Sequence, residues 1–408
     1  MRSIQALIIA LFLVACEQAQ NPTEIISQDI AILASDSLEG REVGTEGERK
    51  AASYIAGRFK ELGLSPKGTA GFMQSFFVKD SDNPHEKATM SDEDTLQGIS
   101  GRNVVAFQDN PGDQLIIIGA HYDHLGYGGL SSLHRGDSAI HNGADDNASG
   151  VSAMLEIARY FQTNPINSDI LYIGFSGEEK GLWGSNYFAK NPTVDLTLVN
   201  YMINMDMVGR LDTAKGIAIH GTGTAPVWSE IIDQSNTVGL KVVKKESGVG
   251  PSDHTSFYLQ DIPVLHFFTG QHGDYHKPTD DSELINVNGI LKITTHIENI
   301  VKNLDTEPKL TFQKTKDESS QGPRFTVTLG VVPDYLFDGE GMRIDGISED
   351  KPAQKAGLEQ GDIVIQLGDS TIIDMMSYMR ALSAFNKGDS TQVVINRNGE
   401  ELTYDISF

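Results

Sequence analysis

Histidines and carboxylates recur in this sequence directly after short apolar runs, a placement from which side chains of distant segments can converge on one point. Residues 115–118 are Leu-Ile-Ile-Ile and lead into Gly119-Ala120-His121-Tyr122-Asp123. His121 there can ligate a cation, and Asp123, two residues on, can orient the imidazole through its other ring nitrogen. A turn follows, His141-Asn142-Gly143-Ala144-Asp145-Asp146-Asn147-Ala148-Ser149-Gly150. Its adjacent aspartates suit a hard cation, although one Asp or Asn before a helix also serves as an N-cap. Ser176-Gly177-Glu178-Glu179 follows the apolar run ending at Phe175. Paired glutamates in a turn are often only solvated, but at the end of a buried strand one can hold a metal while its neighbour moves a proton. Asp206, in Asn204-Met205-Asp206-Met207, and His276, in Asp274-Tyr275-His276-Lys277-Pro278, complete the set.

The elements that must position these residues read as alternating strands and helices. Residues 115–118, 170–175, 199–203 and 264–268 are continuous apolar runs, the pattern of strands buried on both faces. Val151, Leu155, Ala158 and Phe161 share one face of a helix over 148–161, and Ala51, Ile55, Phe59 and Leu62 repeat at the same spacing before Gly63. The expected fold is α/β, a mostly parallel central sheet flanked by helices, with ligands gathered beyond the carboxyl ends of the strands. Residues 306–322, rich in Lys, Glu, Gln and Ser, read as a linker. Residues 323–408 then alternate short strands with one helix near 374–384, a second and smaller β-rich domain.

Composition removes several function classes. The 408 residues hold one cysteine, so an internal disulfide and thiolate metal clusters are excluded, and any metal must rest on His, Asp and Glu. Against 56 Asp+Glu there are 32 Lys+Arg, a net charge of -24, which repels nucleic acid. The apolar run 4–15 is shorter than the ~18 residues of a spanning helix and reads as a secretory signal. Leu13-Val14-Ala15-Cys16 at its end resembles a bacterial lipobox. Cys16 would then carry a lipid after removal of residues 1–15, with 16–23 as a tether, and hold the protein in the cell envelope. Glu17, in place of the Asp that favours inner-membrane retention, points to the outer membrane.

Together, Gly-Ala-His-Tyr-Asp-His-Leu-Gly at 119–126, Gly-Ala-Asp-Asp-Asn-Ala-Ser-Gly at 143–150, Gly-Glu-Glu at 177–179, Asn-Met-Asp-Met at 204–207 and Asp-Tyr-His at 274–276 resemble the M28 family of two-zinc aminopeptidases, over roughly residues 24–305. The resemblance implies that Asp145 bridges two zinc ions, that His121 and Asp206 complete one site and Glu179 and His276 the other, and that Glu178 is the general base. It implies that Asp146 supports the bridge through a cis peptide between the two aspartates. Cobalt or manganese would fit the same ligands. Gly250-Pro251-Ser252-Asp253-His254 resembles a further family segment, which makes Asp253 and His254, with Asp123, supporting residues. Some members carry an oxyanion-stabilising tyrosine where Val249 stands, so Tyr275 takes that role here. His124, His134 and His141 are expected in loops or behind the ligands.

Residues 323–408 resemble a PDZ domain of the kind found with bacterial proteases, through Leu329-Gly330-Val331, Ile344-Asp345-Gly346-Ile347, Ala356-Gly357-Leu358 and Gly361-Asp362-Ile363-Val364. Leu329, Gly330 and Val331 would form a loop that captures a peptide carboxylate. Met375, Met379 and Leu382 fall on one helix face, as core or as groove. The function expected is an exported, lipid-anchored aminopeptidase acting on peptides with a free N-terminus. Two other readings are a carboxypeptidase or dipeptidase of the same superfamily, using Arg135 or Arg210 to hold a substrate carboxylate, and a non-catalytic envelope protein that recruits peptides through the PDZ domain.

Overall fold

The computed structural model describes residues 21–79, 89–92, 98–129, 131–315, 327–334, 336–337, 339–348 and 350–408. Cys16 and the signal segment lie outside them. No helix among the described residues is long and apolar enough to cross a membrane.

The four apolar runs form the strands Leu115–His121, Asp169–Phe175, Val199–Met205 and Val264–Phe268, which lie side by side and parallel. Alternation explains why each is mostly apolar along its length, with Asn200, Asn204 and His266 among the exceptions. Ile116, Ile118 and Ala120 face one core with Ile170, Tyr172, Tyr201, Ile203 and Phe267, while Leu115 and Ile117 face another with Leu171, Ile173, Phe175, Val199 and Met202. Helices Pro22–Leu33, Glu46–Glu61, Gly150–Thr163 and Val287–Leu304 cover the first face. The short helices Trp183–Lys190 and His254–Tyr258 cover the second with Phe188 and Phe257. Truncating a buried strand residue such as Ile117 to Ala would cost about 2–5 kcal/mol.

Parallel pairing is confined to this centre and one outer pair. Strands Met73–Lys79, Thr89–Ser91 and Ile99–Gln108 add antiparallel at one side, and Ile217–His220 adds antiparallel to Val264–Phe268 on the other. The sheet is therefore mixed. Its antiparallel margins alternate half-buried and buried positions, as in the pattern of Met73–Lys79, and lack the continuous apolar signal that marks the centre.

The C-terminal unit is a six-stranded sheet around its own apolar cluster, from Val327 through Leu329, Val364 and Ile395 to Ile406. Helix Met375–Leu382 closes it, started by Asp374, whose carboxylate accepts from the Ser377 amide while Ser377 Oγ accepts from the Asp374 amide. The expected linker is partly a strap. Lys309 Nζ reaches the Thr197 carbonyl, the Leu310 amide donates to Asn200 Oδ1 at 2.8 Å, Phe312 packs on Tyr258, and Thr315 bonds the Tyr258 hydroxyl. Leu310 and Phe312 supply the apolar surface that the polar composition of 306–322 conceals. The two units also touch directly, through Lys215 Nζ to Asp345 at 2.8 Å and Lys245 Nζ to the Phe337 carbonyl at 3.2 Å.

Candidate metal centre

All the expected ligand segments leave the carboxyl ends of the parallel strands. His121 is the last residue of its strand, Glu178 and Glu179 follow Phe175, Asp206 follows Met205, and the segment after Phe268 carries His276. The aspartate pair lies in an irregular turn entering helix Gly150–Thr163, with Asp146 and Asn147 outside helical geometry. Gly143 opens that turn at φ +55°, where a Cβ would stand 2.1 Å from the Asp146 carbonyl oxygen.

The carboxylate that faces both imidazoles is that of Asp146, one residue later than the expected Asp145. Its Oδ1 lies 3.4 Å from His121 Nε2 and its Oδ2 3.3 Å from His276 Nε2. His121 Nε2 is also 3.4 Å from Asp206 Oδ1, and His276 Nε2 3.4 Å from Glu179 Oε2. Asp145 points away. Its Oδ1 accepts from the Gly209 amide at 2.6 Å and Ser149 Oγ at 3.0 Å, and its Oδ2 meets His272 Nε2 at 3.1 Å. The cis peptide joins Asp146 to Asn147 and not the two aspartates. Two identical neighbours in a turn cannot be told apart by type. The turn dihedrals and the distant partners Gly209 and His272 decide which carboxylate faces the imidazoles.

Each ligand is braced. Asp123 supports His121, with its backbone carbonyl 3.2 Å from Nδ1 and its carboxylate 3.7 Å away, and Asp123 Oδ1 also accepts from the Glu178 amide. Ser252 Oγ donates to Asp206 Oδ2 at 2.8 Å. His276 Nδ1 donates to the Ser131 carbonyl at 2.8 Å, which turns Nε2 inward, and the Tyr275 ring stacks on His276 at 3.8 Å. Asp280 Oδ2 accepts from the amides of both Asp145 and Asp146. Arg41, fully buried, donates to the carbonyls of Tyr122, Asn142 and Gly143, so one guanidinium ties the His121 segment to the aspartate turn.

Charge here is unbalanced without a cation. Burial and the neighbouring carboxylates of Asp206, Glu179 and Asp253 raise Glu178 well above the ordinary glutamate range, against the pull of His121. Burial pushes Asp253 up to about 7, and neither of its carboxylate oxygens has a hydrogen-bond partner among the described residues. His121 is raised as well, but for a different reason: burial would lower it, and Asp206, Glu178 and Asp123 lift it well above its usual value. His276 rises to about 9 because Glu179 and Asp146 outweigh its burial. Two groups of donors within metal-binding reach result, His121 with Asp146 and Asp206, and His124 with Asp146 and Glu179. Imidazole and carboxylate donors without thiolate suit zinc.

The remaining expected residues divide. His124 is brought in, with Nδ1 2.8 Å from Glu179 Oε1, while burial holds its pKa down to about 3. His134 and His141 belong to the loop beside Ser131, where His141 Nε2 meets Ser132 Oγ. His254 stacks on His266 at 4.4 Å. Arg210 is engaged by Asp274 and the Leu284 carbonyl, and Arg135 is exposed. Sequence reasoning missed Arg41, His272 and Asp280. His272, four residues before His276, was the one with a nearby signal.

Known proteins resemble both units of this chain. Residues 103–301 match the family model of peptidase family M28, and residues 310–408 match that of the PDZ domain. The second match begins inside the strap, although residues 310–315 pack on the larger unit. Aminopeptidase YwaD of Bacillus subtilis is 26% identical over 220 residues, 50% of this chain and 45% of that protein. The chain thus spans less than half of that relative's length. Two solved structures share the fold. One is BSAP, a zinc aminopeptidase from Bacillus subtilis, with a TM-score of 0.54 and 18% identity over 71% of this chain and 98% of that one. The other is a glutaminyl cyclase from Bacteroides thetaiotaomicron, with a TM-score of 0.55 and 17% identity over 69% and 97%.

Proposed function

We propose that this chain, which carries a peptidase family M28 domain followed by a PDZ domain, is a two-zinc aminopeptidase that removes N-terminal residues from peptides. The observation that carries the reading is Asp146, whose two oxygens face two different imidazoles. His121 and Asp206 would hold one cation and Glu179 and His276 the other, with Asp146 shared. When bound, such a pair supplies Lewis acidity toward water and toward the scissile carbonyl.

The protein's own groups do the rest. Glu178, whose amide is fixed by Asp123, takes a proton from the attacking water at its carboxylate and returns it to the leaving amine. Asp123 and Ser131 hold the imidazole tautomers, so that both Nε2 atoms face Asp146. Tyr275, whose ring stacks on His276, would donate its phenol proton to the developing oxyanion. Of the two arginines a carboxypeptidase could use for the substrate carboxylate, Arg210 is already paired with Asp274 and Arg135 is exposed.

The test is hydrolysis of aminoacyl chromogenic substrates and their N-blocked forms by metal-loaded protein. Free substrates should be cleaved, blocked ones spared, and a chelator should abolish activity; equal cleavage of both forms defeats the aminopeptidase reading. We further propose that Cys16 is lipidated and tethers the enzyme in the bacterial envelope, at the outer membrane. Cys16→Ser should move the protein from the membrane to the soluble fraction, and unchanged fractionation would refute the anchor.

A further inference from the structure

The strand Val331–Pro333 ends its sheet, pairing with Met342–Ile347 on one side only among the described residues. Val331 packs toward the cluster that includes Met375 and Met379 of the helix Met375–Leu382, while Val332 lies against Gly346 on the other face. An apolar row therefore accompanies the open edge. At the start of the strand Gly330 sits at φ +78°, and a Cβ there would stand 2.1 Å from Lys351 Cβ, so a cationic side chain lies over the loop. The Gly330 amide donates to the exposed hydroxyl of Thr328, a partner that an entering carboxylate can displace.

Direction follows from this. A peptide whose carboxylate sits at Leu329-Gly330 and whose backbone adds to Val331–Pro333 must run antiparallel to that strand. Its N-terminal end then leaves past Pro333, toward Leu336 and Phe337. Those two residues are docked on the larger unit. Leu336, buried, lies against Gly270, and the Phe337 carbonyl accepts from Lys245. Gly270, Arg210, Lys215 and His272 line a cavity of about 300 Å³ in the larger unit. Gly270 belongs to the segment that carries His276, and Thr269 beside it donates to the carbonyl of Met207, next to Asp206.

We propose that the PDZ groove holds the C-terminal end of the substrate whose N-terminus is trimmed, so that the protein selects peptides with a free, apolar C-terminal residue and enough length to reach from Leu329-Gly330 to the metal centre. The inference rests on the aminopeptidase reading above. Holding both ends raises the effective concentration of the N-terminus at the catalytic site only when the chain spans the gap.

The experiment uses full-length, metal-loaded protein and peptides of one N-terminal sequence, from about four to about fourteen residues, each residue adding about 3.3 Å of extended chain. Every peptide is made as the free acid and as the C-terminal amide. The acid-to-amide ratio of kcat/KM should be near one for the shortest and rise to about tenfold or more once the span is reached. A ratio near one at every length, with aminoacyl chromogenic substrates still cleaved, overturns the proposal and leaves the aminopeptidase reading intact. Loss of chromogenic cleavage sinks that reading instead. Fluorescence anisotropy of labelled acid and amide peptides then judges the groove alone, and equal affinities overturn it. Leu336→Asp should keep the preference for the acid in binding but lose it in turnover; retention in turnover would show that the docked arrangement plays no part.

Discussion

The larger unit buries His121, Asp123, His124, Asp145, Asp146, Asp253, His254 and Asp280 around the carboxyl ends of its strands. The C-terminal unit buries, among the described residues, only Asp362 and Ser377 as polar side chains, and both are satisfied, by Arg397 and by the Asp374 cap. Buried polar atoms without a hydrogen-bond partner follow the same division. Asp123 Oδ2, His124 Nε2 and both oxygens of Asp253 are near the ligands, and the described C-terminal residues contribute none. Unpaired buried polar atoms cost stability, and a protein retains them where a ligand completes them or chemistry uses them. The first unit thus acts through side chains aimed at a point, whereas the second offers a strand edge and needs only an apolar core to hold it.

Substitutions can break this contrast. The largest effect is expected from Glu178→Gln, which should lower kcat by about 10²–10⁴-fold with metal content unchanged; full turnover with both metals bound would remove Glu178 from the chemistry. Next, Asp146→Asn should reduce metal stoichiometry and cost about a hundredfold in activity, while Asp145→Asn keeps both ions. Metal analysis that reverses the two would restore the bridge to Asp145. In the other unit, Ile395→Ala should lower the stability of the C-terminal fold by about 2–4 kcal/mol in a denaturant titration. Hydrolysis of small aminoacyl substrates should not change, and its collapse would mean that the units are not separable.

The smallest effect tests the cost of buried charge. Burial, with the Glu156 carboxylate nearby, pushes Glu298 up to about 7 against the opposing pull of Lys302 and Arg159. The folded chain therefore holds a proton that the unfolded chain releases above about pH 4.5, and stability falls as pH rises from there to about 7. Glu298→Gln should remove that slope. A gain on the order of 1 kcal/mol at about pH 8, vanishing near pH 4, is expected from melting curves. A loss at the higher pH would have the wrong sign.

Legibility followed the same division. The parallel centre was visible because strands buried on both faces leave continuous apolar runs, and Val264–Phe268 emerged with the bounds its composition predicts. The antiparallel margins, such as Met73–Lys79, bury alternate residues only, and their runs mix with polar ones. Ser252, Asp253 and His254 were recognisable as a segment. Arg41 was not, because a buried arginine is marked by the carbonyls around it, which come from residues 33, 122, 142 and 143. The strap over Asn200 and Tyr258 was hidden for a similar reason, since two apolar residues among polar ones carry no periodicity.

The sequence by itself determined the donor types, the strand ends that carry them and the presence of a second unit, because these depend on local order: which residue follows which apolar run. Only the tertiary structure decided which of two adjacent aspartates faces the imidazoles, how His124 joins Glu179, and that Leu336, beyond the edge strand of the C-terminal unit, lies against Gly270. Each of those depends on groups tens to more than a hundred residues apart, such as Gly209 and His272 for Asp145 or Gly270 for Leu336. Short-range pattern cannot encode such a pairing; packing and hydrogen-bond satisfaction select it only once the chain has folded.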